Sequence, residues 1–405
     1  MAIKISDHAQ WVGKTDWQLT SFHGDELSTH HGSSYNSYLI RDKKTVLIDT
    51  VWLPFDKEFV SRLREQIDLK EIDYIVMNHN EVDHSGALPE LIREIPDVPI
   101  YCTKRGEAII RGHYHQDWNF VNVKTGDTLP LGDTTLTFIE APMLHWPDTM
   151  MSYLSGDKVL FSNDCFGQHY ASSSLFDDSA DLNEVFAEAE KYYANILQPF
   201  SPLVSRKLKE LDGLNLPIDV IAPSHGIIWR DDVSSIVEHY RKWSAAYQEN
   251  VVSILYDTMW NSTRIMAESI ADGIRTADPS TEVRLFNVAH HDKNDIVTAV
   301  FRSKAVLIGC PTINQGYSFA MGGIIEMLKG MKFRGKHGAT FGSYGWSGEA
   351  VERMGKDLAE AGFNVIGNGL RLLWVPDENA VAACRTFGED FAYALQSDAS
   401  SHQTN

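Results

Sequence analysis

The chain has four cysteines in 405 residues, Cys102, Cys165, Cys310 and Cys384, and none forms a Cys-x-x-Cys pair. That scarcity argues against a disulfide framework, a structural zinc knuckle and an iron–sulfur site. The thiols read instead as small buried hydrophobes. Positive charge is also scarce, with a formal net charge of −19. Binding phosphate needs a basic face, so no nucleic-acid partner is expected. The acidic surface serves solubility and would steer a basic protein. No apolar run reaches the length of a membrane span, and the opening "MAIKISDHAQ" has no apolar signal core. No membrane partner is therefore expected, and the expected compartment is the cytoplasm. Glycine fingerprints are missing too. There is no G-x-G-x-x-G, which disfavours a dinucleotide, and no G-x-x-x-x-G-K-[ST], which excludes a nucleoside triphosphate loop.

What remains is an ordinary globular composition, 43% apolar and 22% charged, long enough for two or three domains. Residues 1–249 alternate short apolar runs such as "KTVLIDT", "IDYIVM", "VPIYC", "TTLTFIEAP", "MMSYL" and "KVLFSND" with helical patterns. A layered α/β sandwich flanked by helices fits. Residues 250–397 follow a stricter rhythm. Five strands, from "VVSILYDT" to "FNVIG", alternate with five helices, which predicts a doubly wound parallel sheet. Residues 398–405 form a polar tail expected to fray.

Chemistry concentrates at strand ends. "NHNEVDHSG", Asn78 to Gly86, follows an apolar strand and carries His79, Glu81, Asp83 and His84. These four cannot share one helix face, but a loop wrapped around a metal brings them together. Three further strand ends carry His145 in "APMLHWPD", Asp164 in "LFSNDCFG" and His225 in "IAPSHG". Seven imidazole and carboxylate ligands suffice for two metals with one bridging carboxylate. The mixture suits iron or manganese, with zinc still open. His113, His115, Asp148 and Asp157 read as solvated or capping residues.

The second domain offers an anion site. "YDTMWNSTR" follows its first strand and opens a helix, with Thr258, Met259, Trp260, Asn261, Ser262 and Thr263 at the helix N-terminus. "PTINQGY" follows strand three and presents Pro311, Thr312, Ile313, Asn314 and Gln315. "SYGWSG" follows strand four and presents Ser343, Tyr344, Gly345, Trp346, Ser347 and Gly348. A hydroxyl-rich loop on such a sheet resembles flavodoxin, which binds FMN, with Trp346 the candidate for ring stacking.

H-x-E-x-D-H followed by His, Asp and His at strand ends resembles the metallo-β-lactamase fold. Its zinc hydrolases usually carry H-x-H-x-D-H; Glu81 in place of the second histidine is the mark of the flavodiiron proteins. "SSYNSYLI", "MLHWPD" and "FSNDCFGQHY" are similar to that family, in particular to the flavorubredoxin and rubredoxin:oxygen oxidoreductase type. The resemblance spans essentially the whole chain. It implies an N-terminal metallo-β-lactamase-like αββα sandwich followed by a flavodoxin-like five-stranded parallel sheet.

By the same resemblance, one iron is held by His79, Glu81 and His145 and the other by Asp83, His84 and His225, with Asp164 bridging. His23 and Tyr193 match residues lining the substrate pocket, and His84 or a water supplies protons. Trp260 departs from the family, where a small residue is commoner, and is expected to lie outside the phosphate cradle. The implied activity is reduction of nitric oxide to nitrous oxide, of dioxygen to water, or both, with electrons passing through FMN. Flavin and iron in one chain of such proteins are too far apart for exchange, which implies a head-to-tail homodimer or homotetramer. The paired cysteines of a rubredoxin domain do not occur here. A separate donor, a rubredoxin or a flavin-type reductase, is therefore expected. Two rival readings are a zinc hydrolase of the lactamase fold with a fused flavodoxin-like module, and a non-enzymatic electron carrier with a degenerate metal domain.

Overall fold

The computed structural model describes residues 2–402, with side chains described to residue 397. The chain divides into two compact units after Ser244. The side chains expected in a polar tail at 398–405 lie outside the described residues, as do residues 403–405 altogether. The closing helix itself runs Glu378–His402.

The first unit is built on two sheets of seven and five strands. Strand Thr45–Ile48 shows how its layers form. Its side chains alternate across the sheet, so Val46 and Ile48 pack with Phe138, Met150 and Phe161 of the other sheet. Leu47, between them, packs outward with Phe59, Leu63, Leu88 and Leu91 from helices Asp56–Arg64 and Leu88–Glu94. Helix Val233–Ser244 packs on the second sheet's side, where the Tyr240 hydroxyl accepts the Phe166 N–H at 2.7 Å. The expected αββα sandwich is present.

Strands Thr45–Ile48 and Tyr74–Val76 run parallel, pairing Ile48 with Val76, so their carboxyl ends coincide. Val159–Asn163 and Val220–Pro223 also run parallel and end together. The Met150 N–H donates to the Asn78 carbonyl at 2.8 Å, and Ser152 Oγ to Asn78 Oδ1 at 2.6 Å, tying the two sheet ends together.

In the second unit the parallel sheet has the spatial order two-one-three-four-five, the flavodoxin-like order. The strands are Glu282–Asn287, Glu249–Tyr256, Ser303–Gly309 and His337–Tyr344, and the fifth position is split. Asn364–Val365 pairs with the start of His337–Tyr344, and Leu370–Leu373 with its end. The sequence reading found the first half at "FNVIG" and missed the second. Among the described residues no helix is long and apolar enough to cross a membrane.

Candidate metal centre and flavin site

His79 and Glu81 lie in the short loop that follows strand Tyr74–Val76. Asp83 and His84 then ride on a single helical turn, Val82–Ser85. The turn is pinned from both sides. The His84 carbonyl accepts from Thr50 N at 2.8 Å and Thr50 Oγ1 at 2.6 Å, and Ser85 Oγ donates to the Asn80 carbonyl at 3.0 Å. Gly86 closes it: a Cβ there would stand 2.2 Å from the Leu53 amide nitrogen. One loop thus feeds two clusters on opposite sides of Asp164.

On one side, Asp164 Oδ2 lies 3.3 Å from His145 Nε2 and 3.7 Å from His79 Nε2. Glu81 Oε2 is 3.4 Å from His79 Nε2 and 3.6 Å from His145 Nε2. On the other side, Asp164 Oδ1 lies 3.3 Å from His84 Nε2 and 3.7 Å from His225 Nε2. Asp83 Oδ2 is 3.0 Å from His84 Nε2 and 3.1 Å from His225 Nε2. Metal–ligand bonds of about 2.1 Å place neighbouring ligand atoms roughly 3.0–3.4 Å apart in octahedral or tetrahedral arrangements. The spacings, 3.0–3.7 Å, lie at or a few tenths of an ångström above the edges of such polyhedra. His79 Nε2, Asp83 Oδ1, His84 Nε2 and Asp164 Oδ2 are buried without a hydrogen-bond partner. Native proteins rarely leave such atoms bare unless an ion or a water takes them up.

The far nitrogens are occupied, which turns Nε2 inward. His225 Nδ1 contacts the Ser34 carbonyl at 2.7 Å, and His79 Nδ1 contacts Asp148 Oδ2 at 3.2 Å. The electrostatics demand positive charge. Burial opposes ionisation of Asp83 and Asp164, yet the His84 ring and its neighbours hold both well below the carboxylate range. Burial likewise opposes a charged His79, but the Asp148 and Glu81 carboxylates beside it push its pKa up to about 10. A cluster that draws protons this strongly onto imidazoles suits a cation.

Three expectations need correction. Asp148 is buried, not solvated: its Oδ2 accepts from Asn80 N at 2.9 Å and Asn80 Nδ2 at 2.8 Å besides meeting His79. The Asp157 side chain is 5% exposed and holds the N-terminal segment, accepting from the His8 N–H and facing His8 Nδ1, both at 2.7 Å. Tyr193 does not face the clusters. Its hydroxyl meets Ser201 Oγ at 2.9 Å and its ring lies against Tyr240 and Trp243. The residue that faces the centre is Tyr192, whose ring lies 5.1 Å from His169 and 6.4 Å from His225. Consecutive helical residues point about 100° apart, so only one of the two tyrosines can face inward. Helix Leu182–Tyr192 brings Tyr192 to the inward side, and a π-helical turn, Tyr193–Leu197, follows it.

His23 does reach the centre, with Nε2 2.9 Å from Glu81 Oε1. His169 went unnoticed in the sequence although "FSNDCFGQHY" contains it. It is buried, its Nδ1 meets Ser33 Oγ at 2.9 Å, and its Nε2 has no partner. Burial and the adjacent His225 hold the ring neutral.

The second unit carries a cavity of about 270 Å³ beyond the carboxyl ends of its strands. Met259, Trp260, Ser262, Pro311, Thr312, Ser343, Tyr344, Gly345 and Trp346 line it, drawn from all three expected loops, together with Trp374, which was not expected. Helix Ser262–Ala277 starts at the cavity, and Thr258 Oγ1 nearby is buried without a partner. A phosphoryl group fits that chemistry.

The other named residues do not line the cavity. Thr263 is fully buried, and its hydroxyl meets Ser343 Oγ at 3.0 Å, joining two of the loops. Ile313 and Gly316 exchange 2.9 Å backbone hydrogen bonds around Asn314 and Gln315, both at positive φ, a tight hairpin turn. Asn261, also at positive φ, immediately precedes the helix. Ser347 and Gly348 follow Trp346 outside the lining, and a Cβ on Gly348 would press within 3.2 Å of the Tyr344 ring. All four cysteines are buried and free.

Residues 34–226 match the family described as ODP family beta lactamase, and residues 254–388 match Flavodoxin. The anaerobic nitric oxide reductase flavorubredoxin of Salmonella typhi is 53% identical over 97% of this chain and 82% of its own length. The structure of rubredoxin oxygen:oxidoreductase from Desulfovibrio gigas is 36% identical and superposes with a TM-score of 0.94, covering 98% of this chain and 99% of the other. The flavodiiron protein of Giardia intestinalis is 32% identical with a TM-score of 0.92, over 97% and 96% of the two chains. Two inward-facing ligand clusters sharing one aspartate and a flavodoxin-like unit thus occur together in a chain that belongs to the flavodiiron protein family.

Proposed function

We propose that this protein is a flavodiiron oxidoreductase. It reduces nitric oxide to nitrous oxide, dioxygen to water, or both. The observation that carries the reading is Asp164, whose two carboxylate oxygens each lie 3.3–3.7 Å from a different pair of imidazoles. His79, Glu81 and His145 would hold one iron, Asp83, His84 and His225 the other, and Asp164 would join them. FMN would occupy the tryptophan-lined cavity of the second unit. Iron and flavin supply the electron-transfer chemistry, and the chain positions and tunes them.

The chain's own residues do the rest. Asp148 and the Ser34 carbonyl fix two rings so that Nε2 points inward. Glu81 presents Oε2 to its cluster while Oε1 holds His23, whose partly exposed ring offers a proton route toward the centre. Phe22, Tyr192 and neutral His169 close the His225 side with aromatic surface and limit water. That suits a small, uncharged substrate. Glu81 is the residue that sets the reading apart from zinc hydrolysis.

We further infer a separate electron donor, a rubredoxin or a flavin-type reductase, and a head-to-tail homodimer or homotetramer. The test is anaerobic turnover with rubredoxin and a chemical reductant on iron- and FMN-quantified protein, nitric oxide against dioxygen. Nitrous oxide production, or dioxygen consumption without peroxide, supports the reading. A sample holding iron and FMN that consumes neither gas overturns it.

A further inference from the structure

We propose that Trp374 is a flavin-contacting residue, a wall of the ring site supplied by the edge strand in addition to the loops after strands one, three and four. The proposal rests on the reading of the second unit as an FMN site.

Trp374 follows Leu370–Leu373, whose residues pair in parallel with Phe341–Tyr344. Its N–H donates to the Tyr344 carbonyl at 2.8 Å, extending that ladder by one residue. Trp374 therefore stands level with the loop that begins at Gly345, and its indole Nε1 lies 3.8 Å from where a Gly345 Cβ would be. The indole lines the same cavity as Ser262, Thr312 and Trp346.

Two features of Trp374 cost free energy. Its φ is +54°, a left-handed conformation that a bulky residue seldom adopts. It is also 66% exposed, so a large apolar side chain gains little from burial. Strain and exposure at one cavity wall are common where a ligand is gripped. Trp260 at 81% and Trp346 at 89% exposure rim the same cavity, so three indoles stand open around one space. A planar aromatic ring covers apolar faces of that kind, and the isoalloxazine is such a ring.

The experiment compares the full-length protein with Trp374→Ala, Trp374→Phe and Trp346→Ala, each loaded with iron. FMN affinity is measured by titration after flavin removal. Flavin fluorescence and midpoint potentials are measured on the reloaded protein, and iron content reports folding of the first unit. Trp374→Ala should weaken FMN binding roughly tenfold. It should also brighten flavin fluorescence, because an adjacent indole quenches it by electron transfer. Trp374→Phe should retain most of the affinity with intermediate fluorescence. If Trp346→Ala shifts these quantities and Trp374→Ala leaves affinity, fluorescence and potentials as in the parent protein, Trp374 is not in the flavin site. It would then serve a partner surface. If the parent protein binds no FMN, the cavity reading fails along with the proposal.

Discussion

Asp148 gives the sharpest prediction, because one buried oxygen serves both the fold and the metal centre. Its Oδ2 meets His79 Nδ1 at 3.2 Å and accepts from Asn80 N and Asn80 Nδ2 at 2.9 and 2.8 Å, while Oδ1 is buried without a partner. Asp148→Asn fits this geometry. With its carbonyl oxygen at the Oδ2 position, all three acceptor contacts survive, the charge is lost, and the amide nitrogen takes the partnerless Oδ1 position. Iron affinity in this variant reads the carboxylate's pull on the His79 ring, and thermal unfolding of the iron-depleted chain reads the separate cost of the buried amide. Partners of ligating histidines are worth about 10- to 100-fold in metal affinity. Loss of charge alone should sit near the lower figure, about tenfold. Asp148→Ala should reach the upper one, since it also leaves buried donors unpaired at about 1–3 kcal/mol each. The assay is competition between protein and a ferrous chelator, read beside thermal unfolding of the iron-depleted chain. FMN content should not change in either variant. If Asp148→Asn holds iron as tightly as the parent protein, His79 either is not a ligand or gains nothing from the Asp148 charge.

Further outcomes follow from the same structure. Tyr192→Phe should alter turnover with iron and FMN content intact, whereas Tyr193→Phe should cost about 1 kcal/mol of stability through the Ser201 contact and leave steady-state kinetics alone. Comparable kinetic effects from both would contradict the assignment of the inward-facing ring. The His8–Asp157 contact should make stability pH-dependent. The Asp157 hydrogen bond raises the His8 pKa, so its contribution is complete below the unfolded histidine value of about 6.5 and fades as pH rises through the folded value. Burial opposes ionised Asp157, but bonds from Ser6 and His8 lower its pKa. Its contribution is therefore complete above about pH 3.9 and is lost as pH falls through the lowered value. The destabilisation of His8→Ala should be greatest between about pH 4 and 6.5, at about 1 kcal/mol or less for a half-buried ring at the surface. Equal destabilisation at pH 5 and pH 9, read by denaturant titration, would refute it.

The sequence disclosed the parts of this protein whose physics is local. Short apolar runs marked the inner strands, and the strict strand–helix alternation after Val251 marked the doubly wound unit. Side chains that cannot share a helix face marked the strand-end loop at His79–His84. The parts that depend on tertiary contact stayed hidden. Asp148 looks like any loop aspartate until the fold sets it against His79. The adjacent tyrosines at 192 and 193 are indistinguishable by type, and the helical phase before a π-helical turn separates them. Trp374 was missed because the edge strand is split at 366–369, so its second half had no clear strand pattern. Trp260 was named as a departure from the family, and its place on the cavity rim beside Ser262 comes from the tertiary fold.

The most direct test of the central claim replaces Asp164 with alanine and measures nitric oxide and dioxygen consumption by the reduced, FMN-loaded protein beside its parent. The account predicts that Asp164→Ala retains FMN, fails to assemble the di-iron centre and consumes neither gas, while the parent consumes at least one. Gas reduction that survives the substitution would show that the chemistry does not run through a centre joined by Asp164.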